Sequence, residues 1–257
     1  MLMMVERDGI RLAYEEAGTG ATTVLLIHGW GTDRKALKPQ FDFLASTHRV
    51  LSVDLRGFGE SSAPEQPYTI EGYADDLAFL AEHCRSPRCV VIGHSMGGPI
   101  ALDLAARYPD RVIATVVLET FVASSERVLA GLRELLGGLR AESYRDFAVR
   151  LMTHLLGPRF DPEERARMLA VVASCPQHVL VSAFEGMLDF DSRAVAARVR
   201  GPLLYVGTDT PYADEQEFRH LCPQLVTERL ADCGHYFPLE ATAKVNAMLT
   251  RFLLETR

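Results

Sequence analysis

Short runs of β-branched and other apolar residues alternate along the chain with stretches whose apolar residues recur at three- and four-residue steps. The first pattern predicts strands at residues 10–15, 23–27, 49–53, 89–92, 112–118, 203–206 and 225–230. The second predicts helices at 36–45, 70–83, 99–107, 215–220 and 241–254. Strand and helix in alternation give an α/β fold, a doubly wound and mostly parallel sheet covered by helices on both faces. Residues 121–200 break the rhythm. This stretch is rich in Leu, Arg and Ala and reads as helical throughout, with stops at Gly137-Gly138, Gly157-Pro158 and Cys175-Pro176. It is assigned as a helical cap, or lid, inserted over the carboxyl edge of the sheet, leaving a core of residues 1–120 and 201–257.

Composition narrows the class. The 257 residues, 48% hydrophobic and 24% charged, suffice for one large domain with a sizeable core. Lys and Arg number 27 against 34 Asp and Glu, a net charge of −7 without a basic cluster. That leaves no electrostatic footprint for nucleic acid or an anionic membrane and favours a small neutral substrate over a polyanion. No run of about 18 apolar residues is present to span a membrane. The opening residues 1–9 are too soon charged for a secretory signal, so a cytoplasmic monomer or homodimer is expected. Cys84, Cys89, Cys175, Cys222 and Cys233 are scattered without the paired spacing of a zinc or redox centre, and read as buried free thiols.

The chemistry concentrates where the run Cys89-Val90-Val91-Ile92 feeds Gly93-His94-Ser95-Met96-Gly97-Gly98. A G-x-S-x-G turn between a strand and a helix lifts the serine hydroxyl out of a strained corner, with glycine on either side to avoid collision. Ser95 is the candidate nucleophile. A serine needs a base, expected after the last strand, and His235 in Cys233-Gly234-His235 fits. An oxyanion formed by attack needs two backbone N–H donors. Met96 follows the nucleophile, and Trp30 stands in the glycine-flanked loop His28-Gly29-Trp30-Gly31. His28 reads as a loop brace, and Asp54 with Arg56 as a staple in the Gly57–Gly59 turn.

Together Leu26-Ile27-His28-Gly29-Trp30-Gly31, Asp54-Leu55-Arg56-Gly57-Phe58-Gly59-Glu60-Ser61, the Ser95 turn and Gly234-His235 resemble the α/β-hydrolase superfamily. The resemblance spans nearly the whole chain outside the cap and implies an α/β-hydrolase fold with serine chemistry. Haloalkane dehalogenases and epoxide hydrolases carry an aspartate where Ser95 stands, which argues against both. Most members place the triad acid three residues beyond a glycine after the strand that leaves the cap. Here that position, counted from Gly207, is Thr210, and Asp209 falls one residue early. In haloalkane dehalogenases the acid follows the preceding strand instead, and in this chain that place is Glu119, 24 residues after Ser95. Glu119 is the first candidate, Asp209 the second, and Asp214 remains open.

Phe121, Val122, Leu155, Phe184 and Met187 of the cap, with Trp30 and with Tyr236 beside the histidine, are candidates for an apolar enclosed pocket. The resemblance implies a hydrolase of carboxylic esters or lactones acting through an acyl-enzyme on Ser95, with a small, largely apolar substrate. It calls for no metal and no organic cofactor. A carbon–carbon bond hydrolase of diketone-like substrates and a receptor with a nearly idle triad share the same motifs.

Overall fold

The computed structural model describes residues 1–157 and 160–256; Pro158, part of an expected helix stop, lies outside the described residues. In chain order the elements are β1 (Leu2–Arg7), β2 (Ile10–Ala17), β3 (Thr23–Ile27), α1 (Lys38–Leu44), β4 (Arg49–Val53), α2 (Ile70–His83), β5 (Cys89–His94), α3 (Gly97–Arg107) and β6 (Val112–Leu118). Five helices follow: α4 (Glu126–Arg140), α5 (Tyr144–Leu155), α6 (Pro162–Ser174), α7 (Gln177–Asp189) and α8 (Ser192–Ala196). The chain then returns through β7 (Leu203–Thr208), α9 (Glu215–Leu221), β8 (Leu225–Leu230), α10 (Phe237–Glu240) and α11 (Thr242–Glu255).

The strands form one sheet in the order β1-β2-β4-β3-β5-β6-β7-β8. The β1–β2 and β2–β4 pairs are antiparallel and the other five are parallel. Alternating side chains divide between two apolar layers, as a period of two requires. Leu25, Ile27, Leu51, Val53, Val91 and Val117 meet α2 and α3 on one face. Val24, Leu26, Val50, Val90, Ile92 and Val116 meet α1 and α11 on the other.

Several elements differ from expectation. The strand β1 was not foreseen, although Asp8-Gly9, with φ of 50° and 78°, is the dipeptide of a two-residue hairpin and its register pairs Arg7 with Ile10. The expected helix at 36–45 is a 3₁₀ turn (Arg34–Leu37) followed by α1, because Pro39 suits a first turn and not an interior. Gly137-Gly138 is no stop: α4 runs through it, and a Cβ on Gly138 would strike the Phe147 ring of α5. Gly138 allows α4 and α5 to approach, whereas a Cβ on Gly137 would meet open space. Two short strand extensions matter more for the site, since β5 reaches His94 and β7 reaches Thr208.

The helical segment between β6 and β7 is tied to the loops at the carboxyl ends of the strands. The Trp30 indole N–H donates to the Leu180 carbonyl on α7 (2.9 Å). Arg167 of α6 forks onto Asp33 (2.9 and 3.1 Å), and the His235 N–H donates to the Leu155 carbonyl at the end of α5 (3.0 Å).

Candidate active site

Ser95 sits between β5 and α3 with φ of 55°, in the left-handed region that costs a non-glycine residue about 1–3 kcal/mol. The surrounding chain holds it there. Its N–H donates to the Leu118 carbonyl (3.0 Å), and its own carbonyl accepts from Gly98 N–H (2.9 Å) and the Thr120 hydroxyl (2.9 Å). A Cβ at Gly93 would run into the Gly97 carbonyl, and one at Gly97 into that of Ile27. Both glycines are steric requirements of the turn.

The loop after β3 lies directly against the serine, since a Cβ on Gly29 would come within 2.9 Å of the Ser95 Cβ. His28 braces this loop. Its Nδ1–H donates to the Gly29 carbonyl (2.8 Å) and its Nε2 accepts the Leu55 N–H (3.0 Å), fixing one neutral tautomer, while burial lowers its pKa. Among the described residues no hydrogen bond occupies the backbone N–H of Trp30 or of Met96. The expected pairing of Asp54 with Arg56 is not found. Asp54 is buried against Arg34 (2.6 Å) and accepts from the N–H groups of Arg34 and Glu60, whereas Arg56 forks onto Asp76. Each charge staples the turn to a different element.

His235 is buried, its ring packed 4.9 Å from that of His94, 5.3 Å from Tyr236 and 5.5 Å from Tyr212. Burial, reinforced by His94, holds its pKa well below the ordinary 6.5. His94 donates from Nε2 to the His235 carbonyl (2.9 Å), so both backbone polar groups of His235 are anchored. Its Nδ1 is buried with no hydrogen-bond partner.

The three acid candidates have different surroundings. Glu119, φ 37°, is 1% exposed, and its carboxylate accepts the backbone N–H of Thr208 (2.7 Å) and of Tyr212 (3.0 Å). Burial raises its pKa, and those two N–H groups oppose the rise. Asp209 is exposed and accepts the Asp232 N–H (3.1 Å). Asp214 caps α9 through the N–H groups of Gln216 and Glu217. No hydrogen bond joins any of the three to His235 among the described residues.

Two cavities meet at His235. The smaller, about 180 Å³, is lined by Ser95, Trp30, Phe121, Leu155, Phe184, Met187, Tyr236 and His235, together with Leu132, Leu135, Leu151, His154 and Tyr212. Val122 does not line it. That residue follows Phe121 but turns the opposite way, fully buried in the core. Leu151 precedes Leu155 by one helical turn, a spacing that was available in the sequence; Tyr212, in the loop after β7, carried no such signal. The larger cavity, about 520 Å³, is lined by Glu119, Thr208, Thr210, Asp232 and Cys233, and by residues 154–157, Tyr212, Gly234 and His235. Of the cysteines, Cys233 alone is only half-buried.

A serine on a strained strand-to-helix corner, sharing a cavity with a buried histidine, accompanies the sheet order. The chain belongs to the alpha/beta hydrolase fold family, whose sequence profile matches residues 22–242. Among solved structures it is similar to an esterase from Thermogutta terrifontis, with a TM-score of 0.86 and 28% identity over 100% of this chain and 99% of that one. It is also similar to the enol-lactonase of Burkholderia xenovorans (TM-score 0.86, covering 98% of this chain and 100% of that one), where 24% identity shows the fold alone. Among curated proteins it is 37% identical over 139 residues to the dihydrolipoyllysine-residue acetyltransferase component of the acetoin cleaving system of Cupriavidus necator, covering 54% of this chain and 36% of that protein. The chain spans between about a third and less than half of the length of the curated relatives it matches first.

Proposed function

We propose that the protein is a serine hydrolase of carboxylic esters, lactones included, and that Ser95 and His235 carry the reaction. The observation that carries this reading is the Ser95 turn, whose strained φ is held by three hydrogen bonds on the wall of an apolar cavity shared with His235. The similar esterase structure supports it. His235, kept neutral by burial, takes the Ser95 proton as the hydroxyl oxygen attacks the carbonyl carbon. The unoccupied amides of Trp30 and Met96 receive the developing oxyanion. The imidazolium returns the proton to the leaving alcohol, and water activated by the same ring then releases the acid and frees Ser95.

Glu119 is our choice for the acid that steadies the imidazolium. It is the buried member of the three and lines one cavity with His235, whose Nδ1 still has an open hydrogen-bonding position. Residues 121–200 act as the cap over this site. No single helix among the described residues is long and apolar enough to cross a membrane, and we infer a small uncharged substrate and a cytoplasmic setting. The test is hydrolysis of p-nitrophenyl acetate, butyrate and octanoate by wild type beside Ser95→Ala. Turnover that depends on chain length and vanishes with the serine supports the reading. Wild-type protein inert to every ester and lactone tried, yet active on a diketone-like carbon–carbon substrate, would overturn it.

A further inference from the structure

The loop that follows β3 is held from two sides. On the core side, the peptide joining Gly29 to Trp30 is fixed at its carbonyl, which accepts from the His28 ring (2.8 Å) and from the Thr32 hydroxyl (2.9 Å). The Trp30 carbonyl and both backbone groups of Gly31 make no hydrogen bond among the described residues. On the other side stand helices of the segment between β6 and β7. The Trp30 indole is bonded to the Leu180 carbonyl of α7, and a Cβ on Gly31 would come within 3.0 Å of the Val172 side chain of α6. Arg167 of α6 sets one nitrogen, Nη1, on both oxygens of Asp33 (2.9 and 3.1 Å).

Asp33 joins the two sides. It adjoins Thr32 in sequence, its Oδ1 accepts the Lys35 N–H (3.0 Å) at the start of the 3₁₀ turn, and it is only 7% exposed. Among the described residues Arg167 is the cation that pairs with it. We propose that Arg167 is a positioning residue for the oxyanion amide: acting through Asp33 and the Thr32 hydroxyl, it sets where the Trp30 N–H stands relative to Ser95. A helix that supplies no reacting group thereby controls kcat. This rests on the serine hydrolase reading above and deepens it by naming what controls that site.

The physical chemistry of the pair gives the direction of the effect. The Nε and Nη2 of Arg167 are held by Glu164, one turn earlier on α6 (2.9 and 2.6 Å), so the guanidinium meets Asp33 from a fixed place. Without Arg167 the Asp33 carboxylate keeps the Lys35 N–H as its donor, and a charge this buried regains hydration by moving the loop that carries it. An oxyanion donor acts only where it meets the charge of the transition state, and a hydrogen bond weakens steeply with misalignment. The ground-state ester rests on the apolar walls of the cavity and makes little use of that amide. Loss of Arg167 therefore falls on kcat and spares KM.

The experiment pairs kinetics on p-nitrophenyl butyrate with inhibition by butyl trifluoromethyl ketone. The ketone carbon takes the Ser95 Oγ, the serine proton passes to His235, and the ketone oxygen becomes an oxyanion that reports on its donors. Arg167→Met keeps the aliphatic stem and removes the charge, and Asp33→Asn keeps a side chain able to cap the 3₁₀ turn. Each should lower kcat by about tenfold with KM within about twofold, and raise the trifluoromethyl ketone Ki by about tenfold as well. The double variant should lose no more than either single one, because both remove the same contact. Arg167→Lys, which keeps a cation for Asp33, should recover most of kcat. Arg140→Met removes an exposed ion pair between α4 and α7 that does not touch the loop, and should leave kcat and Ki within about twofold. Unchanged kcat and Ki in Arg167→Met and Asp33→Asn, even with a lowered Tm, would overturn the positioning role, as would a rise in KM alone or losses that multiply in the double variant. Absence of Ser95-dependent cleavage of every ester by wild type would instead remove the hydrolase reading and this role with it.

Discussion

The Ser95 side of the candidate site and the side that holds His235 and Glu119 are built in opposite ways. Ser95 is fixed by local sequence: two glycines, a strand end and a helix start, with three backbone-centred hydrogen bonds inside 30 residues of chain. His235 and Glu119 are fixed by distant elements, namely His94 of β5, Leu155 of α5, and the Thr208 and Tyr212 N–H groups at the exit of β7. A motif can encode the first kind of site. The second kind depends on how separate strands and helices come together, and it leaves the Nδ1 of His235 buried without a hydrogen-bond partner.

Substitutions break this contrast at different depths. The largest effect belongs to Ser95→Ala, which should lower kcat by a factor on the order of 10⁶, read on p-nitrophenyl butyrate. Next comes the acid: Glu119→Gln should cost about 10³ to 10⁴ in kcat, and Asp209→Asn almost nothing. The reverse ranking would move the acid to the loop after β7. His94→Phe keeps a ring in the turn but leaves the His235 carbonyl without its donor; an unmet buried acceptor costs about 1–3 kcal/mol. Urea unfolding should show that loss, and kcat should fall more than KM changes. Unaltered stability and kcat would mean that His94 does not tie the two sides together.

The smallest effect is the pH dependence. His28, His94 and His235 are all buried with pKa values lowered from 6.5, that of His94 to about 4. Each lowered group leaves the unfolded chain binding more protons than the folded one. Stability is therefore complete above about pH 6.5 and declines as pH falls toward the folded-state values. For the same reason the acid limb of kcat/KM should lie below pH 6.5, since His235 stays neutral and able to accept a proton there. A limb above 6.5 in a kcat/KM profile would contradict a desolvated His235.

Much of the fold was legible because α/β alternation writes itself into hydrophobic runs, and seven of the strands were anticipated near their observed places. The strand Leu2–Arg7 was not, because its four apolar residues Leu2, Met3, Met4 and Val5 run consecutively without the polar alternation of a half-buried strand and only Val5 is β-branched; the Asp8-Gly9 turn was its clearest signal. Ser95 and His235 could be named as candidates from spacing alone. The sequence ranks Glu119 ahead of Asp209, as a carboxylate at the exit of an apolar strand; what it does not report is that Glu119 is buried and Asp209 exposed. Phe121 and Val122 were indistinguishable as apolar neighbours, yet the chain turns one into the cavity and the other into the core. Tyr212 belongs to the site through its ring, packed on that of His235, and through its backbone N–H to Glu119, a group that no side-chain pattern reports.

In the proposed mechanism Ser95 is a nucleophile activated by His235. The most direct measurement is peptide mass spectrometry after treatment with diethyl p-nitrophenyl phosphate, which phosphorylates an activated serine with release of p-nitrophenol. One diethylphosphoryl group on the peptide containing Ser95 is predicted for wild type, with none on Ser95→Ala and far slower labelling of His235→Ala. Labelling at another residue, or labelling of Ser95 at an unchanged rate in His235→Ala, would contradict it.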